Sequence, residues 1–242
     1  QLNFRTAFQH TLDSLREIYQ SLPADWKVWI EYKPYEPNFY SATIADWGQS
    51  YLLVSELGEK ASTLVDLGHH LQGTNIEQIV SLLLMKGKLA GFHFNDSKYG
   101  DDDLTVGSIN PYQLFLIFAE LVEGMDTRGM NHARDLGWMI DASHNVKDPI
   151  EDLIQSVEAI KIAYAQALII DRKKLMNAQQ NNDVTLAQEI LQQAYRTDVR
   201  PLLAESRIRS GGALEPISAF RNFQIRKNLI KERGLKSVAT GL

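Results

Sequence analysis

The chain has 242 residues, of which 44% are hydrophobic and 23% are charged, as is usual for one large globular domain or two small ones. Its formal net charge is −5 and its pI is about 5.7, which argues against nucleic acid as the main partner. The absence of cysteine excludes disulfides and thiolate metal sites, so a metal site would have to use oxygen and imidazole ligands. No apolar run reaches the roughly 18 residues of a membrane span, and the residues after Gln1 do not read as a signal peptide. We therefore expect a cytoplasmic protein with no membrane partner.

The first predicted element is an amphipathic helix over residues 4–21, with apolar residues at helical spacing and Pro23 after its end. Four short β-rich runs then alternate with helical segments. The predicted strands cover 28–32, 62–66, 90–94 and 137–141, and the predicted helices cover about 42–57, 75–86, 110–123 and 148–168. This alternation predicts a parallel sheet with crossover helices, and so an α/β fold.

The alternation stops after Arg172. A polar stretch at 177–183 precedes a predicted helix at 186–195, and a final helix is predicted at 216–232. Four strands cannot close a (β/α)8 barrel, which needs eight strands and about 250 residues. The sequence therefore predicts either an open four-stranded α/β domain or the second half of a larger barrel.

A side chain that can bind a metal ends each strand-like run: Glu31, Asp66, His93 and Asp141. A charge directly after a buried strand is costly unless something pairs with it. Ligand sites of parallel α/β sheets lie at the carboxyl ends of the strands. We therefore predict that these four side chains converge on a bound divalent cation, which indicates a metal-dependent enzyme.

Each of these residues alone has a commoner explanation. A single acid at a strand end is more often a helix cap or an ion-pair partner, and a histidine such as His93 is more often a core residue. The run Asp101–Asp103 alone would usually be a solvated turn. Independent surface charges need not fall at four successive strand ends, however, and this joint pattern favours the metal site.

Several motifs resemble those of xylose isomerases, in the same order along the chain. The run from Glu31 to Pro37 has their Glu-x-Lys-Pro-x-Glu-Pro pattern, and Asp66-Leu67-Gly68-His69 is similar to their acid-x-Gly-His pair. Asp101-Asp102-Asp103 is similar to their Asp-x-Asp, and Asp141 falls where their last strand supplies an aspartate.

At two positions the chain departs from the xylose isomerase pattern and resembles the L-rhamnose isomerases of the Pseudomonas and Bacillus type within that superfamily. These are Asp66 in place of glutamate and His93 in place of aspartate. The surrounding runs 65–70, 91–97 and 140–145 also look like that family. The resemblance covers nearly the whole chain, and it matches the C-terminal part of longer family members.

The resemblance implies a fold and a domain division. The chain would be the C-terminal half of a (β/α)8 barrel over residues 1–172, followed by a C-terminal helical extension over 173–242. The first barrel half, which opens the sugar ring in the family, would be missing from such a fragment, and we expect no activity from the fragment alone. The complete protein would be a homo-oligomer, a tetramer.

The resemblance also implies a role for each candidate residue. Glu31, Asp66, His93 and Asp141 would hold the first metal ion, and Asp66 would bridge to a second ion bound by His69, Asp101 and Asp103. Mn²⁺ is the first choice for both ions, with Co²⁺, Zn²⁺ or Mg²⁺ as alternatives. Lys33 would point at the carbonyl end of the open-chain sugar and would be catalytic together with Asp101. The implied reaction is the interconversion of L-rhamnose and L-rhamnulose, or of similar sugars, by a metal-assisted hydride shift.

Two other functions are compatible with this sequence. A ketose 3-epimerase of similar barrel type would use one metal ion and a pair of glutamates, but the strand ends offer only Glu31 in that role and the Asp-x-Asp run favours two ions. The other is a non-catalytic half barrel that binds a sugar or a metal.

Overall fold

The computed structural model describes residues 3–35, 41–143 and 146–234. Glu36 and Pro37 of the first motif, His144, and the end of the chain from residue 235 lie outside these ranges. Within them the fold is α/β, with four parallel strands in the sequential order β1-β2-β3-β4. The strands are β1 (Val28–Ile30), β2 (Ala61–Asp66), β3 (Leu89–Phe94) and β4 (Gly137–Ile140).

A helix follows each strand, as the sequence predicted. The helices of the described residues are α1 (Phe4–Ser21), α2 (Trp47–Leu57), α3 (Ile76–Met85), α4 (Pro111–Asp126), α5 (Pro149–Leu168), α6 (Arg172–Gln180), α7 (Val184–Arg196), α8 (Arg200–Ser210), α9 (Pro216–Asn222) and α10 (Ile225–Arg233), with a short 3-10 helix at Asn131–Arg134. Sequential parallel strands with a helix after each one form half of a (β/α)8 barrel wall, so the predicted fold class is confirmed.

Two glycines let the last two strands approach closely. Gly91 and Gly137 are partners in the register of β3 and β4. A Cβ on Gly91 would lie 2.1 Å from the carbonyl oxygen of Gly137, and a Cβ on Gly137 would lie 2.5 Å from the indole of Trp29. The β3–β4 pairing and the placement of Trp29 therefore depend on the absence of side chains at these two positions.

The hydrophobic core has two parts. The larger part packs β3 and α4 against α3 and α5, with Phe92, Phe94, Phe115 and Phe118 fully buried. The smaller part packs α1 and α2 against β1 and the start of β2. Buried residues of α6 and α7, such as Leu175 and Ile190, belong to the larger core. The domain boundary at residue 172 stays a prediction.

Several element bounds differ from the prediction. The first strand ends at Ile30. The helix predicted from about residue 42 begins at Trp47, because the Asp46 side chain accepts a hydrogen bond from the Gln49 N–H at 2.9 Å and caps the helix there. Helices α6 and α8 were not predicted, and the single helix predicted at 216–232 is broken before α10 by Gln224, whose φ is +49°.

No single helix in the described ranges is both long and apolar enough to cross a membrane, although α5 and α6 pass that test together across a 67° bend.

Candidate metal centre

The four residues predicted at the strand ends meet at the carboxyl edge of the sheet. Asp66 is the last residue of β2, and it is the register partner of His93 in β3. Glu31 and Asp141 follow β1 and β4 directly. The backbone N–H of Asp141 donates to the Phe94 carbonyl at 3.1 Å, which continues the β3–β4 ladder up to the site.

His93 stands at the centre of this group. Its Nδ1 lies 3.0 Å from Glu31 Oε1, 3.4 Å from Asp141 Oδ2 and 3.5 Å from Asp66 Oδ2. Its contacts with Asp66 and then Glu31 outweigh partial burial and raise the pKa of His93 to about 9. Three carboxylates thus surround one imidazole nitrogen, and the field they create favours a positive charge at that point.

Asp66 is fully buried, and its two carboxylate oxygens have different surroundings. Oδ1 accepts hydrogen bonds from the backbone N–H of Gly68 at 2.8 Å and from Nδ2 of Asn95 at 2.9 Å. Oδ2 faces the cluster and has no hydrogen-bond partner among the described residues. Burial alone would raise the pKa of Asp66, but His93, His69 and the two N–H groups outweigh it and hold that pKa below its usual value. A buried carboxylate oxygen with free lone pairs needs a cation or another donor.

His69 is oriented by the backbone. Its Nδ1 lies 2.9 Å from the Tyr32 carbonyl oxygen, an acceptor that places the proton on Nδ1. Its Nε2 lies 2.8 Å from Asp101 Oδ1. A backbone carbonyl behind the other ring nitrogen is typical of histidines that bind a metal ion.

Lys33 reaches the same group of side chains. Its Nζ lies 2.6 Å from Asp101 Oδ2, so Asp101 contacts Lys33 through one oxygen and His69 through the other. Tyr32, between Glu31 and Lys33 in sequence, is buried on the opposite side and its hydroxyl lies 3.0 Å from His70 Nε2. Successive side chains of a strand point to opposite faces, and here Glu31 and Lys33 lie on the side of the cluster while Tyr32 lies on the other side.

The three aspartates after β3 point in alternate directions. Asp101 and Asp103 have φ values of +54° and +46°, a left-handed conformation that aspartate tolerates better than most residues. Asp102 turns away and accepts hydrogen bonds from Ser97 Oγ at 2.7 Å and from the Gly100 N–H at 2.9 Å. It also accepts from the N–H groups of Lys98 and Tyr99. These bonds lower the pKa of Asp102 to about 2, although its slight burial acts in the opposite direction.

Asp103 lies in a strongly negative environment. Burial, followed by the charges of Asp101, Asp141 and Asp66, raises its pKa to about 6. Its backbone carbonyl accepts a hydrogen bond from the Ser143 N–H at 2.7 Å, which joins the loop after β3 to the loop after β4.

The donor set fits divalent cations. One ligand atom from each of Glu31, Asp66 and His69 lies within 4.8 Å of the others, and the same is true of Asp66, His93 and Asp141. Asp66 belongs to both groups. Glu31 is grouped with His69 here, whereas the sequence predicted it with His93, and Asp101 and Asp103 belong to neither group. Oxygen and imidazole ligands suit Mn²⁺, Co²⁺, Zn²⁺ or Mg²⁺.

The sequence did not identify two residues that shape this site. Asn95 and Asp102 touch the loops and carboxylates of the cluster without being candidate ligands themselves. Asn95 lies two residues after His93 and so on the same face of the strand, which is the signal that could have indicated it.

No family model matches the chain. It is similar to two curated relatives, each described as a probable sugar isomerase. The chain is 51% identical over 235 residues to the one from Mesorhizobium japonicum and 52% identical over 233 residues to the one from Rhizobium meliloti. Each match covers 96% of this chain and 54% of the relative, so the chain spans about half the length of the curated relatives it matches.

Proposed function

We propose that the protein is a metal-dependent sugar isomerase that interconverts aldoses and ketoses, with L-rhamnose and sugars of similar configuration as substrates. One observation carries the metal dependence: four strand ends bring three carboxylates and the His93 imidazole together, and the buried Oδ2 of Asp66 lies 3.5 Å from His93 Nδ1 without a hydrogen bond among the described residues. The similarity to two probable sugar isomerases supports the reaction class.

The proposed ligands divide into two sets. Glu31, Asp66, His93 and Asp141 would hold the first ion, and Asp66, His69, Asp101 and Asp103 would hold the second. Mn²⁺ is the proposed native ion at both positions. When bound, the ions would polarise the substrate carbonyl as Lewis acids and lower the pKa of a water molecule, so that it acts as a base at neutral pH.

Isomerisation moves one hydrogen between adjacent carbons of the open-chain sugar. We propose that the hydrogen on C2 moves to C1 together with its bonding electrons, while the proton of the C2 hydroxyl is passed to the oxygen on C1. Atoms and electrons then balance within the sugar, and no external oxidant or strong side-chain base is needed.

Lys33 is the proposed contact to the substrate. Its ammonium group lies at the mouth of the cluster beside Asp101, with a side chain 28% exposed, so a sugar oxygen can approach it. A positive donor at this position stabilises negative charge that develops on the C1 oxygen. Asp101 holds Lys33 in place.

The preference for L-rhamnose rests on Asp66 and His93, the two positions at which the sequence resembles L-rhamnose isomerases rather than xylose isomerases. These two residues link the chain to L-rhamnose by sequence resemblance and not by a contact with the sugar.

The test is an isomerase assay on the complete protein with L-rhamnose deuterated at C2, with D-xylose in parallel. In the presence of Mn²⁺ we expect L-rhamnulose to form faster than D-xylulose and to keep the deuterium on C1. Asp66→Asn should reduce the rate by more than the roughly 10- to 100-fold typical of outer-shell changes, since it removes a shared charged ligand. The exposed Asp135→Ala is the matched control and should leave the rate unchanged. Failure to convert any aldose with Mn²⁺, Co²⁺, Zn²⁺ or Mg²⁺ would refute the proposal.

A further inference from the structure

Asn95 is buried beside the proposed metal centre without belonging to its ligands. It is 1% exposed and lies directly after β3. Its Nδ2 donates to Asp66 Oδ1 at 2.9 Å and lies 3.4 Å from Asp103 Oδ1. One amide nitrogen therefore contacts two carboxylates, one at the end of β2 and one in the loop after β3.

The surroundings fix the orientation of this amide. Two negatively charged groups face one end of the side chain, and only the NH2 end can donate to them. The carbonyl oxygen is consequently turned towards Gly68 and has no hydrogen-bond partner among the described residues. A buried acceptor left without a partner is unfavourable, so the two carboxylate contacts must outweigh it.

The choice of an amide has a chemical reason. Asparagine donates to carboxylates without carrying charge, so it does not compete with a cation for them. A lysine or arginine here would neutralise Asp66 and Asp103, and an aspartate would add to the repulsion. The amide also occupies Asp66 Oδ1 together with the Gly68 N–H, which leaves Oδ2 as the atom directed at His93.

We propose that Asn95 is the positioning residue that fixes the carboxylate of Asp66 relative to that of Asp103 with one amide group, where Asp66 would be shared by both ions and Asp103 would bind the second ion only. This inference rests on the proposed two-ion function. Without the amide, Asp103 would lose its tie to Asp66 and the second ion would bind more weakly and at a less defined distance. The first ion depends less on Asn95, because among the described residues no hydrogen bond joins Asn95 to Glu31, His93 or Asp141.

The test uses Mn²⁺ as the probe in the complete protein, stripped of metal and titrated while its electron paramagnetic resonance spectrum is recorded. Two neighbouring Mn²⁺ ions give a spin-coupled signal that depends on their separation, whereas isolated ions give six lines. We expect Asn95→Leu, similar in size but without a donor, to bind the second equivalent about 10- to 100-fold more weakly. The coupled signal should weaken or disappear, while the first equivalent binds nearly as in the unchanged protein.

The matched control is Asn110→Leu, since the Asn110 amide lies on the same loop and donates to Asp96 rather than to a proposed ligand. It should keep the coupled signal. If Asn95→Leu does not fold, Asn95→Ala removes the amide without adding bulk and should show the same selective loss. Unchanged coupling and two unchanged affinities in a folded Asn95 variant would overturn the inference while leaving the proposed function intact. If the unchanged protein never shows a coupled pair, the two-ion function itself fails.

Discussion

At the scale of single residues, the candidate site separates side chains that would bind cations from side chains that orient them. His93 and Asp66 are held face to face by the register of β2 and β3, with the free oxygen of Asp66 directed at His93. His69 is oriented by the Tyr32 carbonyl. Glu31, Asp66, His93 and Asp141 could be predicted from the sequence because each lies at the end of a strand, and parallel strands end at one edge. His69, Asp101 and Asp103 lie in loops, and only the resemblance of their motifs indicated them. The contacts of Asn95 and Asp102 could not be predicted, because they depend on loop conformations, and loops have no repeating hydrophobic pattern.

The role of Lys33 can be separated from metal binding. We expect Lys33→Met in the complete protein to reduce kcat by about 100- to 1,000-fold, as for the loss of a donor to a developing negative charge. Its affinity for Mn²⁺ should be unchanged or slightly higher, because removal of the ammonium group leaves Asp101 without a competing positive charge. Steady-state kinetics and Mn²⁺ titration of the same preparation measure both quantities. Lys173→Met, at an exposed position on α6, is the control. An equal loss of turnover and of Mn²⁺ affinity in Lys33→Met would contradict the assignment of Lys33 to the substrate.

The raised pKa of His93 gives metal binding a defined dependence on pH. Below about 9 the imidazole is protonated, and below about 6 Asp103 is protonated as well, so a cation must displace those protons in order to bind. We expect the affinity for Mn²⁺ to rise with pH up to about 9, with a steeper slope below about 6. Calorimetry in two buffers of different ionisation enthalpy measures the protons released on binding.

His93→Gln should remove the part of this dependence between neutral pH and about 9, and His10→Gln, at an exposed position on α1, should not. Mn²⁺ affinity that stays constant from pH 7 upward, with no proton released, would show that His93 is not displaced by the ion.

At the scale of elements, the sequence predicted the structure where hydrophobic periodicity or a run of apolar residues determines it. The four strands and the helices after them were predicted because apolar runs and helical spacing are local signals. The start of α2 was missed although Asp46 and Gln49 have the spacing of a capping box, and Gln49 Oε1 does accept from the Ala45 N–H at 2.9 Å. Helix α8 was missed although Pro201 lies in its first turn and Gly211, with φ of +71°, ends it. None of its residues is buried, and its apolar residues do not gather on one face, so the sequence has no helical hydrophobic pattern there.

The loop between β3 and α4 is an element whose stability depends on Asp102. We expect Asp102→Ala to destabilise the protein by roughly 1–3 kcal/mol, since several N–H donors lose one charged acceptor. It should also weaken binding of the second metal ion, because Asp102 stands between Asp101 and Asp103, whose φ values are +54° and +46°. Thermal unfolding with and without Mn²⁺ measures both effects, and Asp135→Ala is the control. A variant with unchanged stability would show that the loop does not need the carboxylate.

This contribution of Asp102 also depends on pH. The pKa is lowered from 3.8 to about 2 in the folded protein, so the stabilisation is present above pH 3.8 and is lost as the pH falls through about 2.

At the scale of the whole molecule, the sheet is open at both sides. In the described ranges β1 pairs only with β2 and β4 pairs only with β3, so each has an unpaired edge. Trp29 and Trp138 remain 38% and 37% exposed on these outer strands. Unpaired edges and exposed apolar surface favour association with other chains.

We therefore expect the 242-residue chain expressed by itself to self-associate or to remain partly unfolded, and to lack isomerase activity. Light scattering after size-exclusion chromatography measures its mass in solution, and a denaturant titration measures the cooperativity of its unfolding. A monomer that unfolds cooperatively and isomerises L-rhamnose would contradict this expectation.

The most direct test of the central claim is the rate of L-rhamnose isomerisation by the complete protein, stripped of metal by a chelator and titrated with Mn²⁺. We expect no activity before metal is added and a rate that reaches its plateau at two equivalents of Mn²⁺ per chain. The Asp66→Asn variant should stay inactive across the same titration. Full activity in the stripped protein, or a rate that does not respond to Mn²⁺, Co²⁺, Zn²⁺ or Mg²⁺, would contradict the claim that this cluster is the metal centre of a sugar isomerase.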